Sequence, residues 1–313
     1  MAEFGLALAG GGTRGAAHVG VLLALEEEGL LPARIAGASA GSIVAGFYAA
    51  GVELETMKEM IRWLSRRGRD YLDPDVAGIL LFFPQLFFHG NITLRGLIKG
   101  NRLKHFFGEW TGKIDIGEAK GEVLIPAVDI RSGDTIVFTN IPDPGIPAFP
   151  YEQEHVKWER SGRLCDIMMA SSSVPAVFCP QRIGEYCLVD GGVTNNLPVD
   201  LLIEAGERRV IAVDIGADYQ MPHDHSIVEI VSHSFSIMSR DLKDCKSRGE
   251  LLLLNPELPQ GAGLLTFDRM EECMEAGYIY TKRMIPAVRK ALQRSGRTQN
   301  SAHRGLSGTS HLW

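Results

Sequence analysis

The chain lacks the marks of a secreted, nucleic-acid-binding or membrane-spanning protein. Its cysteines, Cys165, Cys179, Cys187, Cys245 and Cys273, are odd in number and scattered. They make neither a disulfide framework nor a metal-ligand spacing, and they fit reduced thiols in a cytoplasm. No metal and no cofactor is expected. Positive charge is also short: 32 Lys and Arg stand against 38 Asp and Glu, a net charge of -6. A protein that grips phosphates needs a basic face, so a nucleic-acid partner is excluded. No uninterrupted apolar run reaches the ~18 residues of a membrane-spanning helix. Met1-Ala2-Glu3-Phe4 has no basic stretch followed by an apolar one, so no secretory signal is expected. The expected location is the cytoplasm.

What the chain does have is apolar bulk, 45% of 313 residues, enough for a sizeable core. Residues 4–9 read as a first buried strand and 10–15 as a glycine loop. Residues 16–28 read as a helix ended by Gly29 and Pro32. A second strand leads into Ser39, and helices are expected over 42–50 and 54–65. Strands at 123–130, 135–139, 186–189, 209–215 and 251–254 then interleave with helices at 164–172, 199–205, 227–245 and 269–293. That alternation predicts an α/β fold with a mostly parallel sheet covered on both faces. One domain is expected over residues 1–294. The remainder, 295–313, is rich in Ser, Gly, His and Arg and is expected to be a disordered tail.

Residues 37–41 read Gly-Ala-Ser-Ala-Gly, a Gly-x-Ser-x-Gly pattern between a strand and a helix. A serine on such a tight turn stands clear of the sheet, and the crowded turn demands small neighbours. Gly37, Ala38, Ala40 and Gly41 meet that demand. The helix that follows aims its first amides and its partial positive charge at the same place. Ser39 is therefore the candidate nucleophile.

The glycine loop admits two uses. Gly10, Gly12 and Gly15 satisfy Gly-x-Gly-x-x-Gly after a strand and before a helix, the dinucleotide fingerprint. That fingerprint also needs an acid at the end of the second strand, for a ribose. Ser39 occupies that region, and Glu26, Glu27 and Glu28 lie on the first helix instead. A dinucleotide-dependent oxidoreductase is therefore disfavoured. The other use is an oxyanion hole. Three successive glycines place no Cβ in the way, so their N–H groups can converge on a developing alkoxide, at about 3 kcal/mol per donor. On this reading Gly10, Gly11, Gly12, Thr13, Arg14 and Gly15 form the oxyanion loop, with Arg14 adding a positive charge.

A serine hydroxyl needs a base to take its proton. Asp190 ends a short apolar strand ahead of Gly191-Gly192, at the carboxyl edge of a sheet, where α/β sites collect. Asp214 and Asp129 are placed in a similar way, and spacing alone does not choose among the three. A histidine motif is missing. His18, His89, His105, His155, His223, His225, His233, His303 and His311 are present, and none after Ser39 stands at a clear strand end among small residues. That weakens a Ser-His-Asp triad and leaves room for a Ser-Asp dyad.

Gly10–Gly15, Gly37–Gly41 and Asp190-Gly191-Gly192, in that order, closely resemble the motifs of the patatin-like phospholipase family. The run from Ala170 to Phe178 and the continuation from Val193 to Pro198 also look like its bacterial members. The resemblance covers about residues 4–215. It implies a three-layer α/β/α fold, lipid acyl hydrolysis and a Ser-Asp dyad without histidine. Carried onto matching positions, Ser39 is the nucleophile and Asp190 the base. The amides of Gly11, Gly12 and Thr13, with Arg14, form the oxyanion site. Gly37, Gly41, Gly191 and Gly192 shape the two turns. The sequence departs from many relatives at Ala9, where they carry Asp, but that position precedes the donors. The expected partner is a lipid or other acyl ester. Acyl transfer to an alcohol or thiol is a close variant, and a non-catalytic lipid- or protein-binding regulator of the same fold is the alternative.

The run from Ile79 to Phe88 holds Phe82, Phe83, Phe87 and Phe88 around Pro84, so one helical face cannot bury it all. Two readings stay open: such an apolar run is usually core, and the alternative is a mobile cap over Ser39, touching lipid at the inner face of a membrane.

Overall fold

The strands nearest the centre are short and apolar, and they are buried along almost their whole length. In the computed structural model, which describes residues 3–80, 94–142, 155–216, 227–246 and 249–305, they are β1 (Gly5–Leu8), β2 (Arg34–Gly37) and β8 (Val210–Val213). Around them stand β3 (Glu122–Asp129), β4 (Thr135–Thr139), β5 (Val156–Glu159), β6 (Gln181–Ile183), β7 (Tyr186–Asp190) and β9 (Leu252–Leu254). The order is β5-β4-β3-β2-β1-β8-β9, with β7 pairing β3 and β6. From β3 through β2, β1 and β8 to β9 every pairing is parallel, as is β4 with β5; β3–β4, β3–β7 and β6–β7 are antiparallel. The fold is thus the expected three-layer α/β/α sandwich with a mostly parallel sheet.

The helices are α1 (Ala16–Glu27), α2 (Ala40–Ala50), α3 (Leu54–Arg67), α4 (Asn101–Thr111), α5 (Leu164–Ser171), α6 (Val199–Glu204), α7 (Ile227–Lys246) and α8 (Met270–Gly305). α1 lies along α8, and two glycines let the backbones meet. A Cβ on Gly20 would strike the Met274 carbonyl, and one on Gly277 the Ala17 carbonyl. The sequence reading assigns no element to α4, β5 or β6. α8 is described through Gly305, past residue 294. Residues 306–313 lie outside the described residues, as do 81–93, which hold most of the proposed cap. Of the run from Ile79, only Ile79 and Leu80 are described. They belong to a helical stretch described over 76–80, with Leu80 exposed.

β3 is the ruler that sets the site. On one flank its first half pairs with β2, Ala36 opposite Leu124. Where β2 stops, β7 takes over the pairing, with Asp190 opposite Ala127. Ala127 lies three positions after Leu124, and Ser39 three positions after Ala36. The serine that leaves β2 is thereby brought level with the aspartate that ends β7.

Candidate active site

Ser39 sits between β2 and α2 with φ 51° and ψ -124°. A non-glycine residue in that region stores about 1–3 kcal/mol of strain, so something must hold it there. Four hydroxyl contacts do. The Ser39 N–H donates to Ser171 Oγ at 3.2 Å, and that hydroxyl donates to the Pro126 carbonyl of β3 at 2.6 Å. The Ser39 carbonyl accepts from Ser42 Oγ at 2.6 Å and from Ser172 Oγ at 3.2 Å. The turn's glycines are forced by contact: a Cβ on Gly37 would meet the Gly41 carbonyl, and one on Gly41 the Leu8 carbonyl.

Asp190 is fully buried. Its N–H donates to the Ser173 carbonyl at 3.0 Å, and its Oδ1 accepts from Gly192 N–H at 2.7 Å. Burial pushes the carboxyl up from 3.8 to about 7, against the Ser39 hydroxyl and the Gly192 N–H, which both favour the anion. Oδ2 is buried with no partner in full hydrogen-bond geometry. The Ser39 hydroxyl therefore lies within reach of the carboxyl without a well-formed bond, as is common before substrate tightens a site. No histidine is among the groups that act on Asp190.

The glycine loop, Gly10–Gly15, borders Ser39. A Cβ on Gly10 would lie 2.9 Å from Ser39 Cβ. Two expected donors are already engaged. Gly10 N–H donates to the Asn196 carbonyl at 3.0 Å, and Thr13 N–H to the carbonyls of Gly263 and Leu264 at 3.2 Å each. The Thr13 amide, expected in the oxyanion site, is thus turned to the chain that covers the loop. The N–H groups of Gly11 and Gly12 have no acceptor among the described residues.

Arg14 acts differently from a free charge. It is partly buried, and its Nε donates to the Gly11 carbonyl at 3.0 Å. In a trans peptide the C=O and the next N–H point opposite ways. Holding the Gly11 carbonyl therefore fixes the direction of the Gly12 N–H. Burial lowers the guanidinium's pKa, with Cys273 and Asp214 opposing that shift. Asp214 is buried at the end of β8, where it accepts from Gly216 N–H at 2.9 Å. It acts on Arg14 and His18. Asp129 holds the β3–β4 turn, accepting from Cys187 N–H at 2.9 Å and facing Arg131. Of the three acids left open by spacing, Asp190 is the one shown to feel the Ser39 hydroxyl.

His18 is fully buried, with Nε2 2.8 Å from the Ala9 carbonyl; that contact makes Nε2 the protonated nitrogen. Burial pushes its pKa down to about 4, so it is neutral at pH 7. His223 and His225 lie outside the described residues. Among the described residues, no three His, Cys, Asp or Glu side chains gather as a metal-ligand set.

Beside Ser39 lies an apolar cavity of about 130 Å³, walled by Gly12, Thr13 and one face of α2, and beyond them by α3 and α4.

A model of the family described as patatin-like phospholipase matches residues 6–203, more than half of the chain. The chain belongs to the patatin-like phospholipase family. Among curated proteins it is 28% identical over 217 residues to the NTE family protein MT2641 of Mycobacterium tuberculosis, covering 68% of this chain and 30% of that one. It is 31% identical to a Caenorhabditis elegans patatin-like phospholipase domain-containing protein, ZK370.4, with 68% and 14% covered. It is 29% identical to lysophospholipase NTE1 of Mycosarcoma maydis, with 69% and 10% covered. The chain thus spans less than a third of the length of these relatives. Among solved structures it is similar to VipD from Legionella pneumophila, with a TM-score of 0.47, 13% identity and 92% of this chain covered.

In this patatin-like chain the supporting hydroxyls of Ser42, Ser171 and Ser172 were not singled out from sequence as site residues. For Ser171 and Ser172 the only signal was the triple serine inside the run from Ala170 to Phe178, which matched the family without indicating a task. Among the described residues no helix is long and apolar enough to cross a membrane.

Proposed function

We propose that this chain hydrolyses carboxylic esters of lipids through an acyl-enzyme on Ser39, with Asp190 as the base. The observation that carries the reading is a wholly buried carboxyl, poised near pH 7, facing a strained serine at a helix N-terminus. Such a pKa suits a group that must both take and return a proton at neutral pH. Asp190 takes the Ser39 proton as Oγ attacks the ester carbonyl. The tetrahedral oxyanion lies against the N–H groups of Gly11 and Gly12. When the ester C–O bond breaks, the leaving alkoxide takes the proton back from Asp190. A water then attacks the acyl-Ser39 ester, giving its proton to Asp190 and releasing the fatty acid. Asp190 returns that proton to Ser39 Oγ. The test is labelling by a short-chain alkyl fluorophosphonate, followed by peptide mapping. Modification of Ser39 is expected, and an enzyme that stays unlabelled at Ser39 rules the reading out.

Gly12→Ala is expected to lower kcat by about 100-fold, the scale of one lost oxyanion donor. Gly12 sits at φ 62°, and its Cβ would lie 2.5 Å from Leu264 Cα, which is backbone and cannot swing away. The loop must shift, and the Gly12 N–H loses its aim. Steady-state kinetics on a soluble ester would check this; a wild-type kcat would remove the Gly12 N–H from the mechanism. The same contact argues against a dinucleotide, because residues 263 and 264 already take the place against the loop that a pyrophosphate would need.

A further inference from the structure

We infer that the apolar cavity beside Ser39 is an acyl-chain site of limited length, taking a segment of about eight carbons and ending at Phe47. The inference rests on the ester-hydrolase reading for its chemistry but not for its test. Ala40, Ile43, Val44 and Phe47 all line the cavity. Their i, i+3, i+4, i+7 spacing is one face of α2; Val44 and Phe47 on it are buried, and the face forms a wall of the cavity. Ser39 stands at the start of that wall. Phe47 is eight residues further on, about 12 Å along the axis at 1.5 Å per residue. There its ring meets Phe106 edge-on at 6.4 Å and Phe107 at 5.9 Å, so three aromatic rings close the line from Ser39.

Length and volume agree on a medium chain. Carbon–carbon bonds of ~1.5 Å advance an extended chain by ~1.3 Å per carbon, so about 12 Å holds roughly eight to nine carbons. The volume, about 130 Å³, is slightly below the ~150 Å³ cavity that accommodates benzene, so roughly six carbons fit with no adjustment. Met57 and Met60 line the same cavity, and their flexible thioethers can give the remainder. Longer chains leave their far carbons outside.

The experiment is calorimetric binding of straight-chain fatty acids from four to sixteen carbons, each below its micelle threshold. Affinity is expected to rise about fourfold per added carbon, the equivalent of ~0.8 kcal/mol per buried CH2, and to level off near eight carbons. Phe47→Ala should move the plateau two to four carbons longer. Val44→Phe, which fills the channel instead of opening it, should move it shorter and serves if Phe47→Ala does not fold. Absence of binding, a rise that continues through sixteen carbons, or a plateau unmoved in a folded variant overturns the inference. Labelling of Ser39 by the short fluorophosphonate reports on the hydrolase reading separately, so the two can fail independently.

Discussion

Asp190→Asn is expected to abolish ester hydrolysis, by about 10³-fold or more, while the protein stays folded. Ser39→Ala is expected to do the same. Asparagine keeps the shape and the Gly192 N–H contact but cannot take the serine proton. Members of one proton-transfer unit do not add, so the double variant should be no worse than either single one. The wild-type rate carries the signature of the base. The carboxyl must be ionised to act, and burial raises its pKa to about 7. The free enzyme's kcat/KM should therefore rise from acid pH and reach its plateau above pH 7, with a midpoint near 7. An ordinary exposed aspartate would give a midpoint near 4. The decisive comparison is with His18, the buried imidazole nearest in sequence to the glycine loop. His18→Gln should keep the midpoint, because burial already holds that ring neutral at pH 7. If Asp190→Asn remains active while a histidine variant is dead, the dyad is wrong and a triad takes its place.

Much of this site could be read from the chain before any fold was known, and the reason is locality. A serine turn needs small residues within two positions, and Gly37, Ala38, Ala40 and Gly41 are all there. A loop that admits close approach needs adjacent glycines, and Gly10, Gly11 and Gly12 are adjacent. The central strands were legible because each is a continuous apolar run bounded by breakers. What was not legible depends on distant partners. Thr13 looks like a fourth donor until residues 263 and 264, some 250 positions away, take its N–H. Spacing alone left Asp190, Asp129 and Asp214 open, and the family motif pointed to Asp190; that β7 replaces β2 along β3 is a pairing no local pattern announces. β5 and β6 escaped notice because both are short and partly exposed, with Lys157, Glu159 and Arg182 breaking any apolar run. Arg14 was read as a positive charge supporting the oxyanion loop. Its burial and its bond to the Gly11 carbonyl instead make it a brace for the peptide plane.

The two buried groups that titrate in opposite directions should nearly cancel in the pH dependence of stability, and removing one should expose the other. Asp190 moves from 3.8 up to about 7 on folding. Between those values the folded protein keeps a proton that the unfolded chain has released. Stability therefore falls as pH rises through this window, by at most about 4 kcal/mol at 1.36 kcal/mol per unit. His18 moves from 6.5 down to about 4. Between those values the unfolded chain binds a proton that the folded one refuses. Its contribution is present above pH 6.5 and is lost as pH falls towards 4, by roughly 3 kcal/mol. Across pH 4–6.5 the two slopes oppose each other, and their contributions to the wild-type stability should largely offset. Asp190→Asn deletes one of them. The variant should be more stable than wild type at pH 8, about equal below pH 4, and should lose stability steeply as pH falls from 6.5. Denaturant unfolding of both proteins at pH 4.5, 6 and 8 measures this. The difference between them cancels the lowered carboxylates of Asp129 and Asp134, which are common to both. Parallel curves would mean that Asp190 is ionised at ordinary acidity in the folded protein, and the neutral-pH base would lose its physical basis.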